Sequence, residues 1–444
     1  MKLPRIALVL LAGFSIGSVA RAAAPGRASK AGAAPAGFTV LFNGEDFTGW
    51  HGEGTMDPRK VAALTGEAKE KFLKDGAADL KKHWRVEKGV IVNDGQGAYL
   101  TTDKSYGDVE LLVDFKIGPK GDSGVYMKGT PQIQIWDYTE PSYARNGADK
   151  GSGGLWNNAA GAPGKDPLVL ADHPIGEWNT FRIIQVGERV SVYLNDKLVV
   201  DHARLANYWN RKLPLPARGP IQLQTHDHEV LWRAIAVREI PAEEANKILT
   251  SRGGDGFTSI FDGKALAGWK GAVANYEVKD GAIRCKPHTG GVVYHEKELS
   301  DFAARVEFKL PPAGNNGLAI RYPGQGDTAY VGMCELQVLD DGAKAYLGRI
   351  DARQAHGSAY GMVPAHRGYL RPVGQWNFEE VTVKGSTIKV ELNGTLILDA
   401  DLSKVKEFMA DSAHPGKDRT SGYFGFAGHG DPVEFRAVAI KPLP

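Results

Sequence analysis

The feature that most constrains this 444-residue chain is an internal duplication. Residues 38–50 read FTVLFNGEDFTGW and return at 257–269 as FTSIFDGKALAGW. Further matches keep the same order along the chain, which is the pattern of one structural unit present twice. The later matched segments include 84–91 with 276–283, 132–137 with 335–340, 178–179 with 376–377, and 225–233 with 428–436.

The duplication sets the domain organisation. The sequence predicts a first domain at 37–241, a linker at 242–255 that begins with a short helical pattern, and a second domain at 256–444. The first copy is longer because residues 55–82 are rich in Ala, Glu and Lys with apolar residues on one face, which predicts a helical insertion.

Within each copy, short runs alternate between apolar and polar residues and end at Gly, Asn, Asp or Pro. One such pair of runs is joined by Asn393-Gly394, a strong signal for a tight β-hairpin. Many short strands with this spacing predict an all-β fold made of two β-sandwich or jelly-roll domains in tandem.

The first residues predict export. Lys2 and Arg5 precede an apolar run that ends at Ala20-Arg21-Ala22, so residues 1–22 have the pattern of a secretory signal peptide. Residues 23–36 are rich in Ala, Gly and Pro and indicate a flexible leader. We therefore expect a periplasmic or extracellular protein, with no stable membrane insertion because no second apolar run reaches about 20 residues.

Charge and cysteine content add two limits. The formal net charge is only +2, which gives no reason to expect nucleic acid or an anionic membrane as partner. The two cysteines, Cys285 and Cys334, fall at inward strand positions, so both a disulfide and two buried free thiols are open. Their number and spacing exclude a structural cysteine zinc site. The sequence gives no signal for an oligomeric state.

Residues 330–340 contain the most informative candidate functional residues of the sequence. Glu335 and Gln337 fall on one face of a strand, whereas Cys334, Leu336 and Val338 fall on the other. A polar pair in an apolar strand indicates a functional face. The first copy has a near match at 132–137, in which Gln132 stands where the second copy has the acid.

These motifs together resemble the 3-keto-disaccharide hydrolase family, formerly a domain of unknown function. The signposts are Leu-Phe-Asn-Gly before Gly-Trp, the strand QIQIWD, Gly-Glu-Trp178-Asn179 and the closing stretch that ends at His226. The resemblance covers nearly the whole mature chain as two tandem domains. It implies concanavalin A-like β-sandwiches with a carbohydrate-directed concave face, and a secreted hydrolase of 3-keto-disaccharides or related 3-keto-glycosides.

The resemblance also suggests where the chemistry lies. The second copy keeps an acid at Glu335 and an arginine at Arg321, whereas the first has Gln132 and Lys128 in their places. Cleavage of a sugar oxidised at carbon 3 needs a base for the hydrogen on carbon 2 and a group for the developing negative charge. We expect Glu335 as the base, with Arg321 and His429 assisting.

The other residues expected to contact substrate lie on the matched strands and their adjoining loops. They are Gln337, Asp340, His356 and Tyr360 in the second copy, and Lys128, Gln132, Gln134, Trp136, Asp137, Trp156 and His226 in the first.

Several alternatives stay open at this point. Glu335 and Arg321 could form a structural ion pair, Asp137 and Asp340 could cap turns, and the histidines could be structural. Glycoside hydrolysis by two carboxylates would need Asp340 to turn towards Glu335. No cofactor is certain, although the Asp-rich loops leave room for a divalent cation, either calcium or a catalytic metal. The competing function is a non-catalytic tandem protein that binds glycans or packs in the cell envelope.

Overall fold

This computed structural model describes residues 34–251, 253 and 256–444. The predicted signal peptide at 1–22 lies outside the described residues, as do residues 23–33 of the predicted leader.

The first half of the chain forms thirteen strands. They are β1 Thr39–Val40, β2 Trp50–Glu53, β3 Trp84–Glu87, β4 Val90–Asn93, β5 Tyr99–Thr102, β6 Val109–Ile117, β7 Asp122–Met127, β8 Thr130–Trp136, β9 Asn179–Val186, β10 Arg189–Leu194, β11 Lys197–Arg204, β12 Gln222–Leu223 and β13 Val230–Glu239.

The second half repeats these strands in the same order. They are β14 Thr258–Ser259, β15 Trp269–Gly271, β16 Tyr276–Lys279, β17 Ala282–Cys285, β18 Gly291–His295, β19 Phe302–Lys309, β20 Asn315–Tyr322, β21 Cys334–Leu339, β22 Trp376–Lys384, β23 Thr387–Leu392, β24 Thr395–Asp401, β25 Tyr423–Gly428 and β26 Glu434–Pro442.

Each half is a sandwich of an eight-stranded and a five-stranded antiparallel sheet. The larger sheets run β11-β10-β9-β6-β13-β4-β3 and β24-β23-β22-β19-β26-β17-β16, with β1 and β14 pairing with β13 and β26. The smaller sheets run β2-β5-β12-β7-β8 and β15-β18-β25-β20-β21. The order is identical when thirteen is added to each strand number of the first half, so the predicted tandem all-β fold is confirmed.

The hairpin turns follow from their sequences. Asn393 and Gly394 both have positive φ, 50° and 78°, between β23 and β24. Two successive positive φ values match a type I′ turn, whose twist suits antiparallel strands. Asn195 and Asp196 adopt the same conformation between β10 and β11.

Alternation along β21 decides what each face does. Leu336 and Val338 are fully buried in the second-domain core between the two sheets. Glu335 and Gln337 therefore point to the opposite, outer face of the five-stranded sheet, which is the face that the resemblance identifies as the concave one. In the first domain Ile133 and Ile135 of β8 fill the core in the same way, and Gln132 and Gln134 lie on the concave face.

The described residues contain few helices. The α-helices are α1 Pro58–Ala62, α2 Gly66–His83, α3 Ala242–Thr250 and α4 Thr328–Val331. Single 3₁₀ turns occur at Pro141–Asn146, Ala148–Lys150, Val273–Asn275, Ala352–Gln354, Leu402–Lys404 and Met409–Asp411.

Helices α1 and α2 form the insertion of the first domain. Helix α2 packs against edge strand β2, where a Cβ on Gly52 would lie 2.3 Å from the Gly76 carbonyl oxygen. Only glycine allows this close approach of two backbones. Leu80 of α2 then joins the first-domain core.

Helix α3 and its neighbours join the two sandwiches. Arg189 of the first domain pairs with Glu391 of the second, with Nε 2.8 Å from Oε1. A small apolar cluster lies beside this contact and consists of Val186, Ile240, Ala245, Leu249 and Phe378. Among the helices of the described residues, none has the length and apolar character to cross a membrane.

Candidate active site

The second-domain concave sheet carries a carboxylate–imidazole pair. Glu335 Oε1 lies 3.5 Å from His429 Nε2, and the Glu335 side chain is only 4% exposed whereas that of His429 is 48% exposed. Burial raises the pKa of Glu335, although the hydrogen bond with His429 opposes this shift. The same hydrogen bond raises the pKa of His429. The carboxylate is thus reached from solvent along the edge of the imidazole.

Gly317 of β20 makes room for this acid. Gly317 pairs with Gln337 on β21, and the Glu335 side chain lies across it. A Cβ at position 317 would lie 2.3 Å from Cγ, Cδ and Oε1 of Glu335, which is too close for any side chain. Glycine at this position is therefore a condition for the observed orientation of the carboxylate.

Gln337 completes the second-domain group. Its Nε2 donates to Asn315 Oδ1 at 2.7 Å, whereas its Oε1 is buried without a hydrogen-bond partner. Buried polar atoms without partners are rare in folded proteins. Gln337 Oε1 is thus free to accept a hydrogen bond from a ligand.

The first domain also has a carboxylate–imidazole pair, but the carboxylate comes from the neighbouring strand. Asp122 Oδ2 of β7 lies 3.6 Å from His226 Nδ1. Gln134 Nε2 donates to Asp122 Oδ1 at 2.8 Å, and Gln132 Nε2 donates to Gln134 Oε1. Burial raises the pKa of Asp122. Asp122 corresponds to Asn315 and Gln132 to Glu335, so the acid and the amide have exchanged strands between the domains.

Asp122 was not among the residues selected from the sequence. The signal was present, because the aligned positions 122 and 315 exchange Asp for Asn where 132 and 335 exchange Gln for Glu. Two opposite exchanges on adjacent strands indicate that each domain keeps one acid on this face.

Arg321 and Lys128 do not belong to these groups, contrary to the expectation for Arg321 as an assisting residue. Both residues have positive φ, 47° and 55°, and both side chains are buried. Arg321 Nη1 donates to the Gly385 carbonyl at 2.8 Å, and Lys128 Nζ donates to the corresponding Gly187 carbonyl at 2.9 Å. The positive φ directs each cationic side chain towards the turn of a hairpin in the larger sheet.

The remaining donors of Arg321 are also occupied. They contact the Ser300 and Arg419 carbonyl oxygens and Asp301 Oδ1, each at 2.8 Å. Because all three guanidinium nitrogens of Arg321 donate to groups of the fold, Arg321 is a structural residue.

Asp137 and Asp340 cap turns in both domains. Asp340 Oδ2 accepts from the Ala313 backbone N–H at 2.8 Å, and Asp137 Oδ2 accepts from that of Lys120 at 2.8 Å. Asp340 therefore does not turn towards Glu335 and does not supply the second carboxylate that two-acid glycoside hydrolysis would need.

The predicted tryptophan platforms differ from each other. Trp136 is buried and donates through Nε1 to the Gly151 carbonyl, so it offers no stacking surface, contrary to expectation. Trp156 is 38% exposed, with Lys165 Nζ 5.0 Å from its ring centre.

The loop residues of the second domain also differ from each other. His356 points into the core, where its Nε2 lies 3.1 Å from Glu379 Oε2 and both side chains are buried. A substrate contact by His356 is therefore not supported. Tyr360 lies beside the site, because its backbone N–H donates to the Glu335 carbonyl at 2.9 Å and its phenol oxygen accepts from Gln354 Nε2.

Aromatic residues near each site were also missed. Tyr346 and Tyr143 occupy equivalent positions and donate to the carbonyl oxygens of Ala313 and Lys120, each beside the turn that precedes the site. In the second domain, Tyr294 and Tyr423 lie on the concave face with ring centres 4.8 Å apart. The signal was the alternation of these tyrosines with core residues along β18 and β25.

Two further expectations concern cysteines and metals. Cys285 and Cys334 are both buried and free, so the second of the two alternatives holds. Within the part of the chain that the structure describes, no group of three or more His, Cys, Asp or Glu side chains is arranged to hold a metal ion.

Comparison with known proteins gives relatives whose matches each cover less than half of this chain. A curated 3-keto-disaccharide hydrolase from Bacteroides thetaiotaomicron is 26% identical over 249 residues, which cover 46% of this chain and 85% of that protein. A solved structure of a candidate glycosyl hydrolase from Parabacteroides distasonis is 25% identical with a TM-score of 0.38, covering 43% of this chain and 95% of the other. A carbohydrate-binding module from Bacillus subtilis is 14% identical with a TM-score of 0.27, covering 39% and 95%.

The family profile agrees with the duplication. The domain described as "3-keto-alpha-glucoside-1,2-lyase-like" matches residues 37–238 and again residues 256–441. These two matches include most of the chain and confirm the resemblance drawn from the motifs. The chain therefore belongs to the 3-keto-alpha-glucoside-1,2-lyase-like family, and it contains the family's domain twice.

Proposed function

We propose that this protein is a carbohydrate hydrolase that cleaves 3-keto-disaccharides or related 3-keto-glycosides, with its principal site in the second domain. The observation that carries the proposal is the buried Glu335 carboxylate held against the half-exposed His429 imidazole on the concave sheet. The family and the Bacteroides relative support the carbohydrate class.

The first step assigned to Glu335 is proton removal. A carbonyl at carbon 3 makes the hydrogen on carbon 2 acidic, and the Glu335 carboxylate takes this proton. The C–H electron pair enters the carbonyl as an enolate. Burial raises the pKa of Glu335, which makes the carboxylate a stronger base once it is ionised.

The second step is assigned to His429. The enolate re-forms the carbonyl at carbon 3, and a double bond forms between carbons 1 and 2 as the bond between carbon 1 and the glycosidic oxygen breaks. That oxygen takes a proton from the His429 imidazolium. Because Glu335 raises the pKa of His429, the imidazole keeps its proton to a higher pH than a free histidine. A water molecule then adds its hydroxide to carbon 1 and returns a proton to His429, while Glu335 returns its proton to carbon 2.

The surrounding residues fit a sugar. Gln337 Oε1 has no partner and can accept a hydroxyl hydrogen. Tyr423 pairs with Tyr322 on β20, three residues from Ala319, which itself pairs with Glu335. Because a register shift lies between Ala319 and Tyr322, only two residues of β25 separate Tyr423 from Gly425, the partner of Ala319. This places an aromatic surface ~7 Å along the strand from the acid.

Export through the sequence at 1–22 is part of the proposal. The basic start, the apolar run and the small residues at 20–22 support it. The N-terminal sequence of protein recovered from the periplasm or medium should begin near Ala23, and retention of residues 1–22 in the mature protein would contradict export with cleavage.

The test uses a chromogenic 3-keto-glycoside and its unoxidised parent, each with and without a chelator. We expect release of the leaving group from the 3-keto compound only. Wild-type protein that cleaves neither compound, or both equally well, would overturn the proposal, since equal cleavage would make the acidified hydrogen irrelevant. Cleavage of neither compound would favour the competing function of non-catalytic glycan binding.

A matched pair of variants assigns the residue. Glu335→Gln should lower kcat/KM by about 10²- to 10⁴-fold, the usual contribution of a general base. Glu296→Gln removes an exposed carboxylate from the same domain and should have no effect. Circular dichroism and thermal unfolding of both variants check that the fold is intact.

A further inference from the structure

The Asp122–His226 pair of the first domain lies at the same place on the sheet as the Glu335–His429 pair of the second, and its histidine is equally exposed to solvent. His226 and His429 occupy equivalent positions, and each side chain is 48% exposed. Asp122 is 18% exposed where Glu335 is 4% exposed. A ligand that reaches the imidazole can therefore also reach the Asp122 carboxylate.

The orientation of Asp122 is fixed by the same amide position as in the second domain. Gln134 Nε2 holds Asp122 Oδ1 at 2.8 Å, just as Gln337 Nε2 holds Asn315 Oδ1 at 2.7 Å. This leaves Asp122 Oδ2 directed at His226. The hydrogen bond with Gln134 therefore holds the Asp122 carboxylate in a fixed orientation towards His226.

A second observation points to a ligand at this face. Gln224 is 5% exposed, and its Oε1 has no hydrogen-bond partner. This oxygen lies above Gly124, 3.0 Å from where a Cβ would be, beside the Gln132 side chain. A buried acceptor without a partner is costly unless a ligand or water donates to it, and sugar hydroxyls are suitable donors.

We infer that the first domain is a second proton-transfer centre for 3-keto-glycosides, in which Asp122 takes the hydrogen from carbon 2 and His226 protonates the departing oxygen. The inference rests on the proposed function. Bonds and protons balance as in the second domain, with water supplying the hydroxide for carbon 1. The Asp122 side chain is more exposed to solvent than that of Glu335. In addition, the first domain has the larger side chains Gln222 and Gln224 at the positions of Gly425 and Ala427. This centre is therefore the slower one.

The test separates the two centres by mutation. Glu335→Gln should leave at most about one hundredth of the wild-type kcat/KM, and this remainder should belong to Asp122. Adding Asp122→Asn, or His226→Gln, should lower the remainder by a further tenfold or more, since a general acid or base typically contributes about 10²- to 10⁴-fold. Asp122→Asn is nearly isosteric, and the second domain folds with asparagine at this position.

Asp196→Asn in the Glu335→Gln background is the control. Asp196 is exposed in a turn with positive φ, a conformation that asparagine also adopts, so this variant should keep the remaining turnover. The pH dependence of the turnover that remains in Glu335→Gln gives a second measurement. The fall of this turnover at low pH should disappear when Asp122→Asn is added, which misfolding would not cause.

The outcomes distinguish the two proposals. An active wild type together with a remainder that is absent, or unchanged by Asp122→Asn and His226→Gln, would overturn this inference alone. A wild type without turnover of any 3-keto-glycoside would overturn the proposed function and this inference with it.

Discussion

The two concave sheets share their strand order and their histidine but carry the carboxylate on different strands. The acid is Glu335 of β21 in the second domain and Asp122 of β7 in the first. Each is matched by an amide in the other domain. Since neighbouring strands of a sheet are about 4.8 Å apart, a carboxylate can move to the next strand and still reach the same imidazole. Sequence position is therefore a weaker guide to function here than position on the face.

The largest expected effect comes from moving the acid of the second domain to the strand used by the first. In an Asp122→Asn background, Glu335→Gln should lower kcat/KM by about 10²- to 10⁴-fold. Adding Asn315→Asp should then recover at least tenfold, because the new carboxylate lies beside Gln337 as Asp122 lies beside Gln134. Steady-state kinetics on a 3-keto-glycoside measure this, and no recovery would show that the strands are not interchangeable.

A second contrast uses the glycines under each acid or amide. Gly317→Ala places a Cβ 2.3 Å from Glu335 and should displace the carboxylate, with a loss of about 100-fold in kcat/KM. Gly124→Ala is the matched control, because its Cβ would meet its nearest neighbour, Gln224 Oε1, at 3.0 Å. Kinetics and thermal unfolding should be compared for both variants. Equal losses of activity would mean that Glu335 has no special dependence on the glycine.

The pH dependence should be bell-shaped. The base must be ionised, so turnover should fall as pH drops through the Glu335 pKa, which burial raises above the ordinary 4.5. The acid must be protonated, so turnover should fall as pH rises through the His429 pKa, which Glu335 raises above the ordinary 6.5. Each limb should approach tenfold per pH unit well beyond its pKa. A turnover rate that stays constant from pH 4 to 9, an interval of about five units, would show that neither Glu335 nor His429 transfers a proton.

The smallest effect on activity should come from the pair of buried cations. Arg321→Lys writes the first-domain residue into the second and loses some of the four hydrogen bonds described above, at a cost of about 1–3 kcal/mol in the free energy of unfolding. Thermal unfolding should register this loss, whereas kcat/KM of the folded variant should be unchanged. A large fall in kcat/KM at unchanged stability would restore Arg321 to the mechanism.

Much of the fold followed from local patterns. Alternation along 334–339 put Glu335 and Gln337 on one face, and Asn393-Gly394 marked a hairpin that the structure contains. The identity of the functional face was also predictable, since acid and amide side chains interrupt an apolar strand there. Trp136 was misjudged because its alternation does not reveal the Gly151 loop that covers it.

The sequence by itself determined that one β-sandwich occurs twice, where its strands lie, and that Glu335 faces away from the core, because period-two alternation and turn residues are local properties. Only the tertiary structure decided which groups meet. Positive φ at Lys128 and Arg321 turned both cations away from the concave face, and the pairing of β7 with β12 brought Asp122 within reach of His226. These contacts join residues far apart in the chain, so neither periodicity nor spacing could specify them.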